Sequence, residues 1–146
     1  MKTALLFSGQ GAQSVGMAKT LYENYASVKD LFNRADDALG MKLSKYCFEG
    51  PASDLTKTSI CQPALFLHGM AVVQVLKERE MLGEVVAALG LSLGELTAHA
   101  FAGTFSFETG LKIVAERGRL MQEACDASEG AMASFIGGSV EAVAEY

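Results

Sequence analysis

The chain has 146 residues, half of them apolar and a fifth charged, with a net charge of −5 at pH 7. That length suffices for one domain with a proper core, and an acidic balance without any basic cluster argues against a nucleic-acid surface. Cys47, Cys61 and Cys125 have no paired spacing, which fits a reducing compartment such as the cytoplasm better than a disulfide framework. With two histidines and no Cys-x-x-Cys, no metal site is expected.

Met1 to Phe7 imitates the start of a signal peptide, but its apolar run is short and glycines and glutamines follow at once. Thr3 to Phe7 reads instead as a buried parallel strand. The loop Ser8-Gly9-Gln10-Gly11-Ala12-Gln13-Ser14-Val15-Gly16 comes next. A dinucleotide fingerprint would need Gly or Ala where Ser14 stands, and a Walker loop would need Gly-Lys-Ser/Thr, so a phosphate cradle is a weak reading. The loop does present backbone N–H groups at a strand end, where open α/β sheets bind ligands.

Helices are predicted over 17–25 and 27–39, the second capped by Ser27, ended by Gly40 and buried along Leu31, Ala35 and Leu39. Residues 41–50 form a short helix, 51–53 a turn, and Ser53 to Leu55 a helical turn. An apolar helix then starts with Pro63 in its first turn and runs to about Arg79, buried on most sides. Its apolar run is too short to cross a bilayer, and His68 and Gln74 interrupt it. Glu84 to Leu89 is the second strand.

That strand leads into Gly90-Leu91-Ser92-Leu93-Gly94-Glu95, and a helix-forming run follows. Strand, tight turn and helix around Gly-x-Ser-x-Gly is the context of a nucleophile elbow. Two glycines let strand and helix approach closely. The serine is held at the apex, beside the free N–H groups of the helix start. A plain strand-to-helix turn is the competing reading.

Residues 102–104 form a turn, and Ser106 caps a long helix over 107–125 with a buried stripe of Phe107, Leu111, Val114, Gly118, Met121 and Cys125. Asp126 to Gly130 is polar and flexible, Ala131 to Ile136 is a strand, and Ser139 caps a further helix. Strands alternating with helices predict an α/β layered sheet.

Together these pieces resemble the malonyl-CoA:acyl-carrier-protein transacylase family, in the acyltransferase superfamily of fatty-acid and polyketide synthesis. The resemblance lies in Phe7-Ser8-Gly9-Gln10-Gly11-Ala12-Gln13, in Thr58 to Leu65 with its Gln62-Pro63-Ala64, in the elbow, and in Arg117-Gly118-Arg119-Leu120-Met121-Gln122. Four motifs in order are far more specific than one elbow.

The resemblance implies a parallel-sheet α/β-hydrolase-like acyltransferase core, occupying 1–128, with 129–146 as the incomplete start of a small ferredoxin-like subdomain. It implies that Ser92 carries the acyl group as an ester, that the backbone N–H groups of Gln10 and Leu93 form the oxyanion hole, and that Arg117 binds the malonate carboxylate. Gln62 and Met121 are implied to line the acyl pocket. On the residues alone, Arg117 is a solvated helix arginine, Gln62 a helix-entry residue and Met121 a core residue. The implied substrate is malonyl-CoA, the implied acceptor is the phosphopantetheine thiol of acyl carrier protein, and no separate cofactor, membrane or nucleic acid is implied.

Two departures from the family pattern stand out. Leu91 takes the place of the family's usual histidine in the elbow. The family's general-base histidine falls beyond Tyr146, so the sequence reads as an N-terminal half that transfers poorly on its own. His99, two helical turns past Ser92, and His68, inside the apolar helix, do not replace it. The competing functions are a serine esterase using the same elbow and a non-catalytic carrier-binding remnant.

Overall fold

The computed structural model describes residues 1–128, 137 and 139–144. The predicted strand at 131–136 lies outside the described residues, and of the expected second subdomain at 129–146 only 137 and 139–144 are described.

Two strands, β1 (Lys2–Phe7) and β2 (Glu84–Gly90), pair in parallel, with Thr3 opposite Val85 and Phe7 opposite Gly90. Five helices connect them: α1 (Lys19–Asn24), α2 (Ala26–Leu39), α3 (Leu43–Glu49), α4 (Ala52–Leu55) and α5 (Thr58–Glu78). After β2 come α6 (Leu93–Phe101), α7 (Phe107–Ala127) and the short α8 (Val140–Ala144). The α/β class with a parallel sheet is as the sequence predicts. The strands are not buried on both faces, however. Their residues alternate between exposed and half-buried, and Leu6 and Leu89 are 77% and 57% exposed.

The core lies among the helices. Val28, Leu31, Phe32 and Ala35 form the inner face of α2, and Phe32 packs with Tyr22 and Phe48 at ring separations of 5.7 and 5.0 Å. Phe66 of α5 stacks on Phe107 of α7 at 5.8 Å. Burying a phenylalanine of this kind contributes about 2–3 kcal/mol.

Several boundaries differ from the sequence reading, each for a local reason. Ser27 does not cap α2: the helix starts at Ala26, and the Ser27 hydroxyl is buried without a partner. The central helix begins at Thr58, so Pro63 sits inside it and not in its first turn. The early start holds because Gln122 of α7 accepts a hydrogen bond from the Thr58 N–H at 2.9 Å, a cap supplied from another helix. At 21 residues α5 is long enough to cross a membrane. It is nonetheless a core helix, with Cys61 through Leu67 all buried. The long helix extends to Ala127, two residues into the predicted flexible stretch, and Cys125 on it is exposed, not part of the buried stripe. Ser106 caps α7 as predicted, its Oγ accepting from the Thr109 N–H at 3.2 Å.

Candidate active site

The site is built where β1, β2, α5, α6 and α7 converge. β2 ends at Gly90, and α6 begins at Leu93, leaving Leu91 and Ser92 as the whole turn. So sharp a reversal needs the two glycines. A Cβ on Gly90 would overlap the backbone of Gly94, and one on Gly94 would overlap the carbonyl of Phe7 at the end of β1. Ser92 therefore stands at φ 52°, ψ −101°. A non-glycine residue there is strained by about 1–3 kcal/mol. Glu95, one turn into α6, holds it in place: its Oε1 accepts the Ser92 N–H at 3.1 Å. The Ser-x-x-Glu spacing of a capping box marks this pair in the sequence, although no role was read there for Glu95.

The glycine-rich loop after β1 lies against the elbow. The Leu91 N–H donates to the Phe7 carbonyl at 3.2 Å. A Cβ on Gly9 would come within 2.8 Å of the Leu91 carbonyl oxygen. Gln10 follows Gly9 in this loop, and Leu93 follows Ser92 in the elbow. Leu93 is the first residue of α6, so its N–H has no partner within the helix. The Gln10 side chain turns to α5, where its Nε2 donates to Thr58 Oγ1 at 3.3 Å.

The helix α7 delivers the remaining groups. It passes so close to the start of α5 that a Cβ at Gly118 would stand 2.7 Å from the Thr58 carbonyl oxygen. This approach sets Arg117 and Met121, one turn apart, against Gln62. Arg117 donates from Nη1 to Gln62 Oε1 at 2.6 Å and from Nη2 to Ser92 Oγ at 2.8 Å. Gln62 in turn donates from Nε2 to Met121 Sδ at 3.1 Å. A hydrogen-bonded chain thus runs from Ser92 through Arg117 and Gln62 to Met121. Arg117 is half-buried and faces the serine, so it is not a solvated arginine. Gln62 is only 1% exposed and stands behind Arg117.

Ser92 itself is exposed at the floor of a cleft of about 590 Å³, walled by Leu91, Glu95, Leu96, His99, Ile113 and Arg117. An apolar hollow formed by Ile113, Leu120 and Met121 adjoins it across Arg117. Leu91, in place of a histidine, points an apolar side chain at this rim and is 72% exposed. His99 shares the cleft wall, but its Nδ1 is engaged with Thr104 Oγ1 at 3.2 Å. His68 lies on α5, half-buried, where desolvation pulls its pKa below the ordinary imidazole value. Among the described residues, no hydrogen bond joins either histidine to Ser92. Thr58 and Gln122 belong to the motifs that carry the resemblance, but the contact by which they tie α5 to α7 was not legible, because they meet across 64 positions of chain.

A serine at a strained turn, next to a helix start and a guanidinium, is an arrangement that can stabilise negative charge developing beside it. Residues 4–143 match the acyl transferase domain model. The malonyl CoA-acyl carrier protein transacylase of Bacillus subtilis is 45% identical over 142 residues, which is 97% of this chain and 44% of that protein. A crystal structure of the malonyl CoA-acyl carrier protein transacylase from Clostridium perfringens superposes with a TM-score of 0.81 at 36% identity, over 99% of this chain and 45% of that one. Another solved structure, a malonyl-transacylase in complex with a type II polyketide acyl-carrier protein, superposes at 0.78 with 36% identity, over 85% of this chain and 40% of that one. The chain spans a little under half the length of the relatives it matches. With elbow, arginine and glycine-rich loop in one site, and the match running nearly end to end, the chain belongs to the acyl transferase domain family.

Proposed function

We propose that this chain carries the nucleophile and the acyl-selecting half of a malonyl-CoA:acyl-carrier-protein transacylase, acting in fatty-acid or polyketide synthesis. The observation that carries the reading is the 2.8 Å contact between Arg117 Nη2 and Ser92 Oγ. It puts a planar, two-pronged carboxylate binder within reach of any acyl group esterified to Ser92. A serine esterase for neutral acyl groups gains nothing from that arginine, so transfer of a carboxylated acyl group is the better fit.

In the first half-reaction, Ser92 Oγ attacks the thioester carbonyl carbon. A C–O bond forms, the C–S bond breaks, and the hydroxyl proton passes to the departing coenzyme A sulfur by way of a base. The negative oxygen of the intermediate lies between the N–H groups of Gln10 and Leu93. Strain at Ser92 keeps Oγ exposed, and the positive guanidinium favours negative charge on it. In the second half-reaction the carrier's phosphopantetheine thiol attacks the Ser92 ester, and the serine regains its proton. Neither histidine of this chain is assigned the role of base. Buried Cys47 and Cys61 are free thiols, in keeping with a reducing, cytoplasmic setting.

The test is mass spectrometry of the full-length protein mixed with malonyl-CoA. One malonyl group is expected on the peptide holding Ser92, and it should leave when holo carrier protein is added. Label on another residue, or none, counts against the reading.

A further inference from the structure

We propose that Gln62 is a positioning residue for acyl selectivity: it fixes the Arg117 guanidinium through a neutral carbonyl, with Met121 fixing Gln62 in turn. The proposal rests on the reading of Arg117 as the carboxylate binder.

Gln62 is 1% exposed, and its amide is satisfied from both ends, by Arg117 at 2.6 Å and Met121 at 3.1 Å. The two partners dictate which way the amide faces. A guanidinium only donates and a thioether only accepts, so Oε1 must face Arg117 and Nε2 must face Met121. The reverse orientation sets N–H against N–H and leaves the sulfur without a donor. Arg117 and Met121 are four residues apart on α7, so both reach the same side chain from one helix face. The result is a rigid triplet that aims Nη2 at Ser92 before substrate arrives.

The neutrality of the holding group matters as much as its position. Among the described residues no carboxylate forms an ion pair with Arg117, although Arg34 and Arg119 on the surface both have one. A buried carbonyl orients the guanidinium without cancelling its charge, so the charge stays available for an incoming carboxylate. A glutamate at position 62 would keep the shape and supply a resident counter-ion, which competes with the substrate. Preorganisation of this kind lowers the cost of ordering the arginine when substrate binds.

The test uses the full-length enzyme and compares malonyl with acetyl thioesters. Gln62→Glu is expected to lower the malonyl-to-acetyl ratio of kcat/KM on the order of a hundredfold, chiefly through KM for the malonyl substrate. Gln62→Leu should lower it on the order of tenfold. Met121→Leu, which conserves volume, should move it the same way by less. In an Arg117→Ala background none of these changes should shift the ratio further, because Gln62 then has nothing to hold. Loss of packing alone would lower both substrates together and leave the ratio unmoved, and that result overturns the proposal. So does an undiminished effect of Gln62→Glu without Arg117. If Arg117→Ala itself leaves the ratio intact, the assignment of Arg117 fails and this proposal falls with it. If Arg117→Ala moves the ratio and Gln62→Glu does not, only the positioning role fails.

Discussion

The Arg117 guanidinium donates a 2.8 Å hydrogen bond to Ser92 Oγ across 25 residues of sequence. One helix start and one helix crossing make that contact possible. α6 begins at Leu93 and holds the serine at its tip, and α7 crosses α5 closely enough at Gly118 to bring Arg117 alongside. The pair joins the group that would carry an acyl chain to the group that would read its far end.

Gly94 is where the elbow is least tolerant. A Cβ there collides with the Phe7 carbonyl, which is backbone and cannot rotate away. Gly94→Ala is expected to cost about 3 kcal/mol, read by urea denaturation, and to lower Ser92 acylation by displacing the start of α6. A change within about 0.5 kcal/mol would show that strand and helix are less tightly apposed than described.

Glu95 has a separable role. Its carboxylate accepts the Ser92 N–H, so Glu95→Ala removes one arm of a helix cap, worth about 1 kcal/mol. It also frees a strained serine to relax. The acylation rate should therefore fall by more than the stability loss explains, and Glu95→Gln, which keeps an acceptor, should recover most of it. Equal rates for the alanine and glutamine variants would leave Glu95 as a helix cap and nothing more.

The cysteines make a pH-dependent prediction. Burial pushes the Cys47 thiol up to about 12 and the Cys61 thiol up to about 11, from an ordinary 9.0. Both are protonated in the folded chain where the unfolded chain has begun to ionise. Their contribution is complete below pH 9 and is lost as pH rises from about 9 towards 11 and 12. Stability should decline over that window, and the double variant Cys47→Ala, Cys61→Ala should show a shallower decline. At pH 8 a thiol reagent should label exposed Cys125 quickly and the other two only after unfolding. Rapid labelling of all three would contradict the burial.

Much of this was legible in the sequence. The elbow could be read from residues because its physics is local: two glycines, a serine and a helix start within five positions. Ser106 capping α7 was legible for the same reason. The start of α5 was not, because Thr58 is capped by Gln122 from a distant helix and Pro63 looked like a first-turn residue. Arg117 was ambiguous on its own, since its meaning depends on Ser92 and Gln62, which lie on other elements. Gln62 was placed in the site by resemblance, but its position behind the arginine follows only from the packing of α5 on α7.

The central claim is that Arg117 makes the Ser92 site select carboxylated acyl groups, and it is tested most directly by one comparison. Full-length wild-type and Arg117→Ala proteins are assayed for transfer of malonyl and acetyl groups from coenzyme A to carrier protein. The expected result is a loss of about a hundredfold or more in malonyl kcat/KM, with acetyl transfer far less affected, so that the preference collapses. Equal losses on both substrates would contradict the account and reduce Arg117 to a structural neighbour of Ser92.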